Sequence, residues 1–130
     1  MLAIGWMASA SGVYVTGVSM TNTTGWTKLW SQQNGSSNPW VVGEIWIGYA
    51  NGAPSGNITV NFSSNVTAPI VDCQKFTGIS SSSPLENAYS ALGSGTGLSV
   101  SNVVVANASD LEFAFTLGYN TYGSNPTVGP

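Results

Sequence analysis

The residues able to do acid, base or ion-pair chemistry in this 130-residue chain are few: Glu44, Asp72, Glu86, Asp110 and Glu112 against Lys28 and Lys75, with no Arg and no His. The commonest proton shuttle at neutral pH is therefore missing, and with it a Ser-His-Asp triad. No Gly-x-Ser-x-Gly elbow, phosphate loop or dinucleotide fingerprint occurs. A glycosidase needs two carboxylates facing each other across a cleft, and no spacing here singles out such a pair. Asp110 and Glu112, two apart on a strand-like stretch, would share a face, but one pair supplies too few oxygens for a calcium site. They read instead as a solvated face that discourages edge pairing. Glu44 and Asp72 fall in apolar stretches, where pairing with Lys28 or Lys75 would offset their burial. The lone cysteine, Cys73, cannot make an internal disulfide and reads as a small buried apolar residue. The expectation is a protein that is not an enzyme and carries no cofactor or metal.

A different kind of chemistry is better represented. Asn-x-Ser/Thr occurs at Asn22, Asn34, Asn57, Asn61, Asn65 and Asn107. Twelve Asn among 31 Ser plus Thr would yield about three such triplets by chance, so the motif stands at roughly twice its expectation. A glycan must lie on the surface. Asn57 and Asn61 are set on the polar face of a strand pattern, and the other four fall in or beside turns. Aromatic residues form the second set. Trp6, Trp26 and Trp46 read as core, whereas Trp30, Trp40, Tyr119 and Tyr122 are candidates for a subunit interface or a sugar-stacking platform. Trp26 and Trp30, an even number apart, would share a strand face. Trp40, beside Asn38-Pro39, is the best candidate for exposure.

The elements that must position these groups are strands. Only 5% of residues are charged and 42% are hydrophobic, with a net charge of −3, which excludes ordinary disorder and leaves no basic face for nucleic acid. Apolar residues alternate with period two between Gly, Asn, Ser and Pro clusters, and no segment holds the 3.6-residue period of a long helix. Eight strands are predicted, over residues 2–9, 13–20, 26–33, 41–50, 57–64, 67–76, 98–105 and 111–120. The fifth is the clearest, with Ile58, Val60 and Phe62 inward; in the eighth, Leu111, Phe113, Phe115 and Leu117 face inward. Residues 51–56 read as a hairpin loop. Residues 77–97 form a long crossing loop in which 85–92 could make one short helix. The N-terminal apolar run is about eight residues long without a basic start, so it reads as a strand rather than a signal peptide. No stretch nears the ~20 apolar residues of a spanning helix. The expected fold is all-β, one domain over 1–130: an antiparallel β-sandwich of jelly-roll or immunoglobulin-like type with about eight strands.

Taken in order, Gly25-Trp26-Thr27-Lys28, Gly43-Glu44-Ile45-Trp46-Ile47-Gly48-Tyr49-Ala50-Asn51, Gly56-Asn57-Ile58-Thr59-Val60-Asn61-Phe62-Ser63, Phe76-Thr77-Gly78-Ile79 and Ser83-Pro84-Leu85-Glu86-Asn87-Ala88 form a progression. It resembles the secreted, jelly-roll-like β-sandwich domains of unknown function found in microbial surface, filament and phage tail-fibre proteins. Lys75-Phe76 stands where that pattern has Glu-Tyr. The resemblance implies one further strand ahead of Leu2 and two or three beyond Pro130. The chain would then be either a fragment of a longer polypeptide or an incomplete sandwich that accepts a strand from a neighbouring subunit.

Low charge means weak repulsion between copies. The expected function is a structural subunit of an extracellular assembly (surface filament, pilus-like thread or virion fibre), N-glycosylated and joined by β-strand addition. Its partners are other copies of itself and attached glycans, with no nucleic acid and no membrane span. The location is extracellular, at a cell or virion surface. The alternative is a carbohydrate-binding or adhesin module using exposed Trp and Tyr.

Overall fold

The structure, a computed structural model, describes residues 1–34, 38–91, 99–104 and 111–116, together with the backbone of 117 and 128–129, so the expected inward side chain of Leu117 lies outside it. It is all-β, with no helix among the described residues. Strands β1 (Leu2–Ala8), β2 (Val15–Gln33), β3 (Trp40–Phe62) and β4 (Thr67–Cys73) form one antiparallel sheet in the order β2-β3-β1-β4. Two short strands, β5 (Thr116–Leu117) and β6 (Val128–Gly129), pair separately.

The strand expected at 2–9 is β1, and the one expected at 67–76 is β4, which ends at Cys73. The middle of the chain differs from expectation. Residues 13–20 and 26–33 belong to one long strand, and 41–50 and 57–64 to another, because β2 and β3 stay paired along nearly their whole length. The chain reverses between Gln33 and Trp40, and residues 51–56 are part of β3 rather than a hairpin loop. Thr23 pairs with Ala50 and Thr21 with Ser55, so four residues of β3 bulge out opposite Asn22 alone. Asn22 meets this excursion in the left-handed region at φ 59°, and its Nδ2 donates to the Ala53 carbonyl at 2.9 Å. A turn-rich composition has here produced a bulge, which bends and twists a strand without ending it.

The bend is large. Phe62 lies twenty residues beyond Val42 on β3, a span of about 66 Å if the strand ran straight. Yet Trp6, which pairs with Val42, has its ring centroid 5.1 Å from that of Phe62, edge to face. The distal part of the β2–β3 ribbon is therefore folded back over the sheet it grows from. Val18, Ile58, Val60 and Phe62 pack on the cluster formed by Leu2, Ile4, Trp6, Ala8, Val13, Val15, Val42 and Trp46. Ile58, Val60 and Phe62 are half-buried while Asn57, Thr59 and Asn61 are exposed, as their alternation predicts.

The opposite face of the sheet carries Ala3, Gly5, Gly43 and Ile47. Here a Cβ at Gly43 would come within 3.1 Å of Phe115 Cε1, so the glycine makes room for that ring. Phe113 stacks edge to face on Phe76 at 6.1 Å. Phe113 and Phe115 are half-buried as expected, but Leu111 is exposed. Residues 111–115 and 99–104 have irregular backbone, where strands were expected, and 85–91 are not helical. Leu92, Leu98, Val105 and residues 118–120 lie outside the described residues.

Candidate functional site

Glu44 is completely buried on the core face, with a hydrogen-bond donor on either side of its carboxylate. Lys28 Nζ on β2 lies 3.2 Å from Oε1, and Trp46 Nε1 donates to Oε2 at 2.7 Å. Of the two lysines expected as partners for Glu44, Lys28 is the one it meets, and the lysine head also sits 5.9 Å from the centre of the Tyr14 ring. Lys28 keeps 38% of its side chain exposed, so the pair faces water on one side only. Replacing Lys28 with Met removes the cationic partner and leaves the buried carboxylate with the indole donor. Chemical unfolding should show a loss of about 1–3 kcal/mol, and the double variant with Glu44→Gln should regain part of it. Asp72, half-buried on the other face, accepts from Gln74 Nε2 at 3.2 Å instead of meeting Lys75.

Two cross-strand rows show how the sheet is finished at its margins. Lys28, Trp46, Leu2 and Cys73 are successive partners across all four strands; Ser31, Glu44, Ile4 and Val71 form the next row. On the β2 side both rows end in polar groups. That margin is further engaged by Ser90, whose Oγ donates to Gln32 Oε1 at 3.3 Å, and by Gly12, whose N–H donates to Gln33 Oε1 at 3.1 Å. A lysine on an edge strand is a standard guard against further pairing.

On the β4 side the rows end in Val71, 44% exposed, and Cys73, also exposed. Their inner neighbours Ile4 and Leu2 have no exposure at all. Cys73 is therefore not the buried apolar residue expected from its neighbours; it stands at the open end of a row because no described strand lies beyond β4. The outer edge of β4 is blunted only near its start, where Ala68 (φ 48°) and Pro69 bulge opposite Trp6. From Ile70 to Cys73 the register with Gly5 to Leu2 is unbroken. This stretch combines an outer backbone edge that no described strand pairs with Val71 and Cys73, which continue the core rows, the two things an added strand uses. Alongside it, the Met1 amino group donates to the Gln74 carbonyl at 2.7 Å; burial lowers its pKa, with Cys73 acting the other way.

The aromatic candidates are less available than their sequence positions imply. Trp40 is half-buried and packs against the core cluster, since it pairs with the buried Ala8. Trp30 is half-buried on the opposite face, its ring near Gly43. Trp26 and Trp30 do not share a face: register shifts between Thr24 and Thr27 and between Lys28 and Trp30 break the parity, and Trp26 joins the core instead. Trp6 and Trp46 are core residues, as expected. Tyr119 and Tyr122 lie outside the described residues, as do Asn107 and Asp110.

Asn57, Asn61 and Asn65 are exposed. Asn22 is exposed with its amide nitrogen already engaged, and Asn34 is half-buried, its Oδ1 accepting from Val41 N–H at 2.7 Å. Two shallow clefts, of about 140 and 250 Å³, are lined by residues without charged side chains; the larger is framed by Met7, Ser9, Asn38, Pro39 and Thr67. Among the described residues no three of His, Cys, Asp and Glu cluster as metal ligands would. Searches of protein-family models, curated proteins and solved structures return no match for the chain.

The β4 margin was not foreseen residue by residue. Its signal in the sequence is the run Ala68-Pro69-Ile70-Val71-Asp72-Cys73, in which a proline, tolerated on edge strands and excluded from central ones, precedes Ile70, Val71 and Cys73 with Asp72 as the one charge and no lysine.

Proposed function

We propose that this protein is a structural subunit of an extracellular assembly, in which copies join by adding a strand to the open edge of a neighbour's sheet. In this reading the folded-back ribbon and the sheet beneath it are an incomplete β-sandwich, of jelly-roll or immunoglobulin-like type, that a neighbour completes. The observation that carries the reading is the β4 margin, where the core rows through Leu2 and Ile4 run out to exposed Cys73 and Val71. The near absence of charge works in the same direction, because little like-charge repulsion keeps copies apart. A heterologous contact of this kind need not close on itself and so can build a thread. Exposed Asn57 and Asn61 supply glycan sites on the outward face of the ribbon, and exposed Asn65 one in the connection from β3 to β4.

Light scattering and negative-stain microscopy of native material test this. Polymers are expected, with intact mass exceeding the polypeptide by several glycans. A well-behaved monomer of 13.4 kDa would end the reading, and a polymer of bare polypeptide mass would remove the glycan part alone.

A further inference from the structure

The strand-addition reading requires a donor, and the geometry points to residues 99–104 of one copy pairing with the Ile70–Cys73 edge of the next. The sequence Ser99-Val100-Ser101-Asn102-Val103-Val104 is rich in β-branched residues and has no charge, the composition of a strand. In the isolated chain it is irregular, and Val100, Val103 and Val104 are 41%, 44% and 61% exposed. Three valines held in water within five residues are an apolar surface in need of cover. Asn102 sits in the left-handed region at φ 59°. Asn tolerates that region and extended backbone alike, so Asn102 is no obstacle to straightening the segment.

Donor and acceptor match in kind. The acceptor ends in Val71 and Cys73, whose inner neighbours are fully buried, and the donor brings side chains able to cover them. The chain ahead of the donor is tied to the far margin of its own sheet, through Ser90 and Gln32 of β2. Although the chain downstream returns beside its own β4 through Phe113 on Phe76, the segment pairs with no described strand of its own chain and its valines stay exposed, which leaves them to cover the edge of a second copy.

Cys73 makes the pairing measurable, because cross-strand neighbours at about 4.5–5.5 Å between Cα atoms fall within disulfide range. A single cysteine is placed at each of positions 100–104 in turn, and the full-length protein is oxidised and run without reductant. One or two adjacent positions should give a ladder of dimers and higher species that disappears when Cys73→Ser is added. Val104→Asp, a change at an exposed site that leaves the monomer's circular dichroism unaltered, should weaken association by at least about tenfold, since it would bury an unpaired charge at the joint.

A disulfide confined to the monomer would overturn the inference, as the segment would then complete its own sheet. Polymers that neither cross-link nor respond to Val104→Asp would overturn it while leaving strand addition by another donor standing. Absence of any wild-type polymer would remove both.

Discussion

Trp6→Ala is expected to cost about 3–5 kcal/mol, the range for deleting a large buried aromatic. A domain of this size has about 5–15 kcal/mol in hand, so the variant should be largely unfolded at modest urea concentrations by circular dichroism. The reason is positional. Trp6 is fully buried on the central strand and is the residue on which Phe62, from the far end of the ribbon, rests edge to face. Removing it empties the space between the sheet and the part of the ribbon folded over it. Trp6→Phe should be far milder, because the buried indole N–H has no hydrogen-bond partner among the described residues and its removal relieves a cost of about 1–3 kcal/mol. A Phe variant as damaged as the Ala variant would show that the full indole volume, rather than an aromatic ring, is what the site requires.

Gly48→Ala is the second large effect. A Cβ at Gly48 would lie 2.5 Å from both Cδ2 and Cε2 of Trp26, the fused bond of the indole. The ring cannot slide aside freely. Its Nε1 donates to Thr23 Oγ1 at 2.8 Å, and that hydroxyl donates to the Met20 carbonyl at 2.8 Å. Accommodating one methyl group means displacing the ring, breaking this chain and disturbing the bulge at Gly25, where φ is 63°. A loss of about 2–3 kcal/mol is expected, the upper part of the range for overpacking. Trp26→Leu in the same background should recover part of it, since the clash is with the ring; if it does not, the damage lies in the backbone at residue 48.

These two sites show what sequence pattern could and could not deliver. Alternation is a local property, and where the ladder is regular it reads directly: Ile58, Val60 and Phe62 inward, Asn57 and Asn61 outward. Trp6 and Trp46 as core, and Glu44 joined to Lys28, follow from the same reasoning about apolar stretches. Parity fails across a bulge. The extra residues around Gly25 and Leu29 turn Trp30 to the face opposite Lys28, and no count of even spacings anticipates that. The cluster Asn51-Gly52-Ala53-Pro54-Ser55-Gly56 has the composition of a hairpin loop, but a loop and a wide bulge demand the same residues. Only the partner strand, with Asn22 in the left-handed region opposite, distinguishes them. Cys73 was misplaced for a related reason: its type and neighbours describe a core row, while its exposure is decided by whether another strand lies outside it. The valines of 99–104 look like a strand in sequence, and the structure leaves them as apolar surface because strand formation needs a second strand.

The position of β1 also governs the order in which the protein can be made. The most apolar strand in the sheet comes first in the chain yet occupies a central place, between β3, which begins at Trp40, and β4, which begins at Thr67. The β2–β3 ribbon can zip outward from its own reversal, but Leu2-Ala3-Ile4-Gly5-Trp6-Met7-Ala8 has no complete berth until residues past Cys73 have been synthesised. Such distant pairings form late and slowly, and a waiting strand of this composition is a template for misassociation during translation. The strand that anchors the finished core thus waits with one edge open from the synthesis of Trp46, which completes its β3 partner, until Cys73 has emerged.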